Sequence, residues 1–340
     1  MNKKRDIDTG SGISPLGPSR KVKASIRKAV KSLGEFPDAE SLRLRRFFES
    51  KYGLPEKGII FGNSLKELVF QATSALKAKK VLIIGPSLSI YEEASLASGS
   101  EVYHLSGSEE TGFALDSETL KSHCEGVDLV FLAEPNRITG RLMDRTVMNG
   151  LLKFTADKKV TVLIDESLRG FTGQEGHLRD VSSLRNLIVV STTALFYGLP
   201  GLELAYAAAS PSLVAALTEK KRCDLNALAQ EAAWTALRDK TYAKLATGYA
   251  RDEKKLFVSA LGRIRGITCL ESDSNMFLIK TDGHAEELIL AMKKEGFPLR
   301  DCRDIGGLGE NFFSIAVMAH DHNKKFVRIV KEVKEKKPAS

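Results

Sequence analysis

An α/β protein with a mostly parallel sheet, followed by a smaller α+β unit, is the fold class this sequence predicts. Two patterns carry that prediction. Short apolar runs recur through the first two thirds of the chain with amphipathic stretches between them. Buried strands alternating with helices are the signature of a largely parallel sheet covered on both faces. After a long helical region the order changes to strand, strand, helix, strand, helix, which suits a separate, smaller layer.

The elements follow in order. Residues 8–20 (DTGSGISPLGPSR) are rich in Gly, Ser and Pro and read as an extended arm. The strand runs are Gly58–Phe61, Val81–Ile84, Asp128–Ala133, Val160–Ile164, Leu187–Val190 and Leu202–Ala208. Between them lie helical spacings such as Leu65, Leu68, Val69, Ala72 and Leu76. A helical region extends from about Pro211 to Leu261. Ile267–Leu270 and Asn275–Ile279 read as strands, Ala285–Lys294 as a helix stopped by Gly296, Phe312–Val317 as a strand, and the end as helix. The divisions expected are 1–45 (arm and part of the small domain), 46–245 (large domain) and 246–340 (small domain).

The chain has 340 residues, 43% of them hydrophobic, enough for a substantial core. Lys+Arg number 51 against 43 Asp+Glu, a net charge of +8. Lys3, Lys4 and Arg5 open the chain and Lys331, Lys334, Lys336 and Lys337 close it. This scatter reads as solvated helix faces and termini rather than a nucleic-acid surface. The cysteines, Cys124, Cys223, Cys269 and Cys302, form no CxxC pair and fit free thiols in a reducing cytoplasm. No apolar stretch reaches the roughly 18 residues of a membrane span, and the start resembles no signal peptide.

Several places could carry chemistry. Ser64 and Glu67 form an S-x-x-E capping box at a strand-to-helix turn, which is either an ordinary cap or an anion site. Ile164-Asp165-Glu166 runs an apolar strand into two carboxylates, and Asp165 suits either a ligand-facing group or a loop cap. Tyr197–Tyr206 is a Gly/Pro turn leading into a strand. His320-Asp321-His322 reads as a helix start on the surface rather than a metal site.

Taken in order, these pieces resemble the class I/II aminotransferase family, in its threonine-phosphate decarboxylase and histidinol-phosphate aminotransferase branch. Asp8–Pro18 resembles the family arm "D-x-S-x-N-x-N-P-L-G-P", and Phe36-Pro37-Asp38 its "Y-P-D". Gly62-Asn63 begins its "G-N-G", and Pro86–Tyr91 is similar to "P-T-F-x-x-Y". Glu134–Gly140 is similar to "N-P-N-N-P-T-G", and Asp165–Leu168 to "D-E-A-F/Y". Residues 191–206 resemble "R-S-L-T-K-x-x-x-(I/L)-P-G-L-R-L-G-Y", and Arg300-Asp301-Cys302 with Gly307-Leu308-Gly309 resembles the decarboxylase.

The resemblance implies the pyridoxal-phosphate (PLP) transferase fold type I, with PLP as cofactor. It implies Asp165 as partner of the ring nitrogen, Tyr91 as the stacking aromatic, Thr192 as a phosphate-binding hydroxyl, and backbone N–H groups at Ser64, Leu65 and Lys66 as the phosphate cup. Other positions depart from the pattern. Counting back from Pro200-Gly201, the Schiff-base lysine falls on Leu195, and no lysine lies between Arg185 and Glu219. The phosphate arginine falls on Glu203, the ring-hydroxyl asparagine on Arg137, the aromatic after "D-E-A" on Leu168, the "Y-P-D" tyrosine on Phe36 and the small-domain carboxylate arginine on Ser314.

Leucine forms no imine, and a glutamate repels phosphate. Covalent PLP binding is therefore not expected. Arg137 and Glu203 are expected to pair across a pocket made more apolar by Leu195, Leu168 and Phe36. The functional expectation is a degenerate member with a binding, regulatory or structural role. A cytoplasmic homodimer, or a heterodimer with an active relative, is expected. The competing expectations are an enzyme that holds PLP without a covalent link, and a decarboxylase or aminotransferase using a lysine from elsewhere, such as Lys66.

Overall fold

The computed structural model describes residues 6–335; Lys3, Lys4, Arg5, Lys336 and Lys337 of the basic termini lie outside them. The first sheet has seven strands: β1 (Ile59–Gly62), β2 (Lys80–Gly85), β3 (Glu101–Ser106), β4 (Leu129–Ala133), β5 (Thr161–Asp165), β6 (Leu187–Thr192) and β7 (Ala205–Ala209). Their spatial order is β1-β7-β6-β5-β4-β2-β3. The pairs β2–β3, β2–β4, β4–β5 and β5–β6 are parallel, and β7 runs antiparallel to both neighbours.

The apolar runs are continuous because both faces are covered. Leu82, Ile84, Val130, Leu132, Val162 and Ile164 enter one core, while Val81, Ile83, Leu129, Phe131 and Leu163 enter the other. Successive residues of a strand point to opposite faces, so each run feeds two cores at once. β3 escapes the sequence pattern because it is an edge strand left open to solvent: Glu101, Tyr103 and His104 are exposed, leaving little apolar signal.

The helical region divides into Pro211–Thr218, Ala227–Arg238 and the long Lys240–Leu261. A second sheet follows, β8 (Ile267–Cys269), β9 (Met276–Thr281), β10 (Arg300–Asp301) and β11 (Phe312–Ala316), antiparallel throughout in the order β10-β11-β9-β8. It packs on the Glu286–Lys294 and His320–Glu335 helices through Phe277, Phe313 and Phe326. The N-terminal arm joins this unit: Ile7 N–H donates to Gly296 O (2.9 Å) and Ala316 N–H to Thr9 O (2.7 Å). The arm then crosses to the large sheet, where Ser14 N–H donates to Leu195 O (2.8 Å).

The two units also meet at the turn after β4. Gly140 sits at φ +73°, and a Cβ there would lie 1.9 Å from Met276 O. Only glycine allows this approach.

Candidate functional site

The site lies at the carboxyl ends of β4, β5 and β6, where ligands sit in open α/β sheets. Asp165, the last residue of β5, is fully buried. Its Oδ1 accepts from Ser167 N–H (2.8 Å) and from the Ser167 hydroxyl. Its Oδ2 accepts from the Tyr91 hydroxyl (2.7 Å) and lies 3.6 Å from the Arg137 guanidinium. Asp165 thus caps its own loop and pairs with a cation. Sequence reasoning passed over Ser167, although an Asp two residues before a Ser is a recognisable loop-capping pattern.

Tyr91 is buried, and its ring stacks on Phe131 of β4 with centroids 5.2 Å apart and planes 20° apart. Burial first, and the Asp165 carboxylate second, push its phenol well above the ordinary value. Its hydroxyl therefore stays protonated and donates to Asp165.

The expected Arg137–Glu203 pair is not formed. Arg137 turns to Asp165 instead, and Glu203 turns to a helix start. The physical reason is that each found a nearer opposite partner: a buried carboxylate for the guanidinium, and a free N–H at a positive helix end for the carboxylate. The Leu65–Leu76 helix begins at Ser64, whose hydroxyl accepts from Glu67 N–H (3.0 Å), while Glu67 Oε2 accepts from Asn63 N–H (2.6 Å). The Ser64 half of the capping box read from the sequence is formed, while the return bond from Glu67 goes one residue further back, to Asn63 rather than Ser64. It leaves Leu65 N–H, which donates to Glu203 Oε1 (2.9 Å). The Thr192 hydroxyl donates to the same oxygen (2.7 Å). The expectation that Leu65 N–H stays available is thereby corrected.

Leu195 and Leu168 are buried in one apolar cluster with Phe171, Phe196, Tyr242 and Met276. Phe36 does not join them; it is 101% exposed, in the connection before the Leu42–Tyr52 helix. Within one chain, nothing among the described residues covers this ring. Ser314, fully buried on β11, donates to Ile138 O (2.9 Å) and ties the small sheet to the turn after β4. Lys66 faces outward and pairs with Glu93 (3.0 Å), with its side chain 62% exposed.

A second group of charges surrounds the site. Arg169 pairs with Glu134 (3.3 Å), and Glu134 also accepts from Met143 N–H (3.0 Å). Burial nevertheless pushes the Glu134 carboxyl up to about 7, against the pull of these partners. Glu166 is raised by burial too, despite accepting from His177 N–H (2.6 Å).

With this geometry in view, the relatives are informative. The family model for class I and II aminotransferases matches residues 6–330, so this chain belongs to that PLP-dependent family. It is 24% identical over 330 residues to threonine-phosphate decarboxylase of Salmonella typhimurium, covering 96% of this chain and 91% of that one. The crystal structure of histidinol-phosphate aminotransferase from Clostridium acetobutylicum superposes with a TM-score of 0.90 at 27% identity, covering 96% of this chain and 99% of that one. That of L-threonine-O-3-phosphate decarboxylase from Porphyromonas gingivalis gives 0.85 at 24% identity, with 97% and 99% covered. The fold is the PLP fold type I. Among the described residues no helix is long and apolar enough to cross a membrane.

Proposed function

We propose that this chain is a degenerate class I/II aminotransferase relative that forms no PLP Schiff base and acts by binding rather than by PLP chemistry. The observation that carries the reading is the Glu203 carboxylate. It takes the Leu65 N–H and Thr192 hydroxyl, two of the donors a cofactor phosphate would need. A phosphate brought there meets a like charge on its own donors. Arg137 lies against Asp165, the carboxylate that would otherwise face a protonated ring nitrogen. Leu195 is buried among apolar side chains and has no amine to offer. The residues present therefore do not fit PLP.

Phe36 and Leu33, both exposed, lie close in sequence, with Val30 and Leu42 beside them. Exposed apolar side chains so close in sequence fit a chain–chain contact, either in a homodimer or with an active relative. Light scattering on the purified chain, alone and mixed with such a relative, separates the two.

The test of the main reading is a PLP titration followed by absorbance, then borohydride reduction and mass spectrometry. The expected result is no imine band and no reduced adduct. A reduced adduct on one specific lysine overturns the proposal. A second reading, PLP held without a covalent bond, draws on the buried Asp165. It is supported if PLP binds reversibly and Asp165→Ala abolishes that binding.

A further inference from the structure

Asp165 and Glu166 are chain neighbours with different surroundings. Asp165 meets Arg137 and Tyr91, whereas Glu166 lines a separate cavity of about 310 Å³. Of the residues that meet around Asp165 and Glu203, only Ser167 and Thr192 also reach that cavity. At roughly 30 Å³ per water, its volume suits a molecule on the order of ten heavy atoms.

The walls hold uncommitted polar groups. Arg169 is committed elsewhere, one terminal nitrogen on Glu134 and the other on Glu175 O, and its buried Nε–H is closed to solvent. Tyr52, Tyr197 and Tyr206 line the same space, and among the described residues neither the Tyr52 nor the Tyr197 hydroxyl has a hydrogen-bond partner. Glu166 is 5% exposed, and among the described residues its carboxylate receives a single hydrogen bond, from His177 N–H. Phe196 and Leu237 add apolar surface. Gly176 lies directly against the Glu166 carboxylate: a Cβ there would come within 2.2 Å of Glu166 Oε2.

The geometry points to a binding site for a small zwitterion of the α-amino-acid class, distinct from the cofactor position. Its carboxylate meets the Tyr52 and Tyr197 hydroxyls, its ammonium meets Glu166, and its side chain lies on Phe196 and Leu237. Burial holds the Glu166 carboxyl above its ordinary value, and a bound ammonium would pull it back down. The site does not depend on whether PLP binds.

The experiment is calorimetry and thermal shift on the full chain with each standard L-amino acid at about 10 mM, well above a millimolar Kd. For each amino acid that binds, the matching decarboxylated amine and the matching carboxylic acid without the amine are compared. At least one amino acid is expected to bind, and to bind more tightly than either half-charged analogue. Tyr52→Phe, which keeps the ring, should weaken it about 3–10-fold, and Glu166→Gln about tenfold or more. No binding by any amino acid overturns the proposal. So does binding that an amine or acid matches. So does binding that survives both substitutions but is lost in Arg137→Gln, which would place the ligand in the cofactor position instead.

Discussion

Replacing Glu203 with alanine separates a carboxylate that holds the site together from one that merely occupies the position. Glu203 Oε1 accepts from Leu65 N–H at 2.9 Å and from the Thr192 hydroxyl at 2.7 Å. A hydrogen bond to a charged group contributes about 1.5–3 kcal/mol, and a negative charge at a helix start adds about 0.3–1 kcal/mol. Glu203 is partly exposed, so solvent screening keeps the total toward the low end, about 2–3 kcal/mol. At about 2.1 cal/mol/K of unfolding entropy per residue over the 340 residues, each kcal/mol moves Tm by about 1.4 °C, so Tm should fall by about 3–4 °C. The variant should also reopen an anion site, because the N–H, the hydroxyl and the helix end all remain. Inorganic phosphate at about ten times its Kd would then restore about 1.4 kcal/mol, with chloride at equal ionic strength as control. The assay is a thermal melt of both proteins across a phosphate series. If Glu203→Ala melts with the parent, or phosphate shifts both proteins equally, the assignment of Glu203 to the phosphate donors is refuted.

Three further outcomes follow from the same contacts. Leu195→Ala, in the cluster shared with Leu168, Phe171 and Met276, should cost about 2–4 kcal/mol in urea denaturation. Gly140→Ala places a Cβ within 1.9 Å of Met276 O at positive φ and should destabilise by more than about 2 kcal/mol, while Gly201→Ala, with open space around it, serves as the mild control in the same assay. The Glu134 carboxyl, raised to about 7 from 4.5, keeps its proton in the folded chain where the unfolded chain has lost it. Stability should therefore fall as pH rises from about 4.5 to about 7, by at most about 3 kcal/mol, and Glu134→Gln should flatten that slope in melts run across this window.

Much of the fold was legible in the sequence because its strands are buried on both faces and so appear as unbroken apolar runs. β3 was not legible, since an edge strand carrying Glu101 and His104 has no such run. Tyr91, Asp165, Thr192 and Glu203 could be picked out from motif order alone, as could the capping box of Ser64 and Glu67, because local hydrogen bonding depends on residues a few positions apart.

The partners those residues take were beyond the sequence. Complementary charge suggested that Arg137 would meet Glu203, but charge says nothing about distance. The sheet brings Asp165 beside Arg137, and the antiparallel entry of β7 brings Glu203 to the start of the Leu65–Leu76 helix. The orphaned Arg169 Nε and the cavity around Glu166 likewise arise from segments far apart in the chain. Residue type and spacing determined the class of fold and the list of altered positions. Tertiary structure alone decided which charges neutralise one another, because electrostatic pairing depends on three-dimensional separation and burial, and neither is written along the chain.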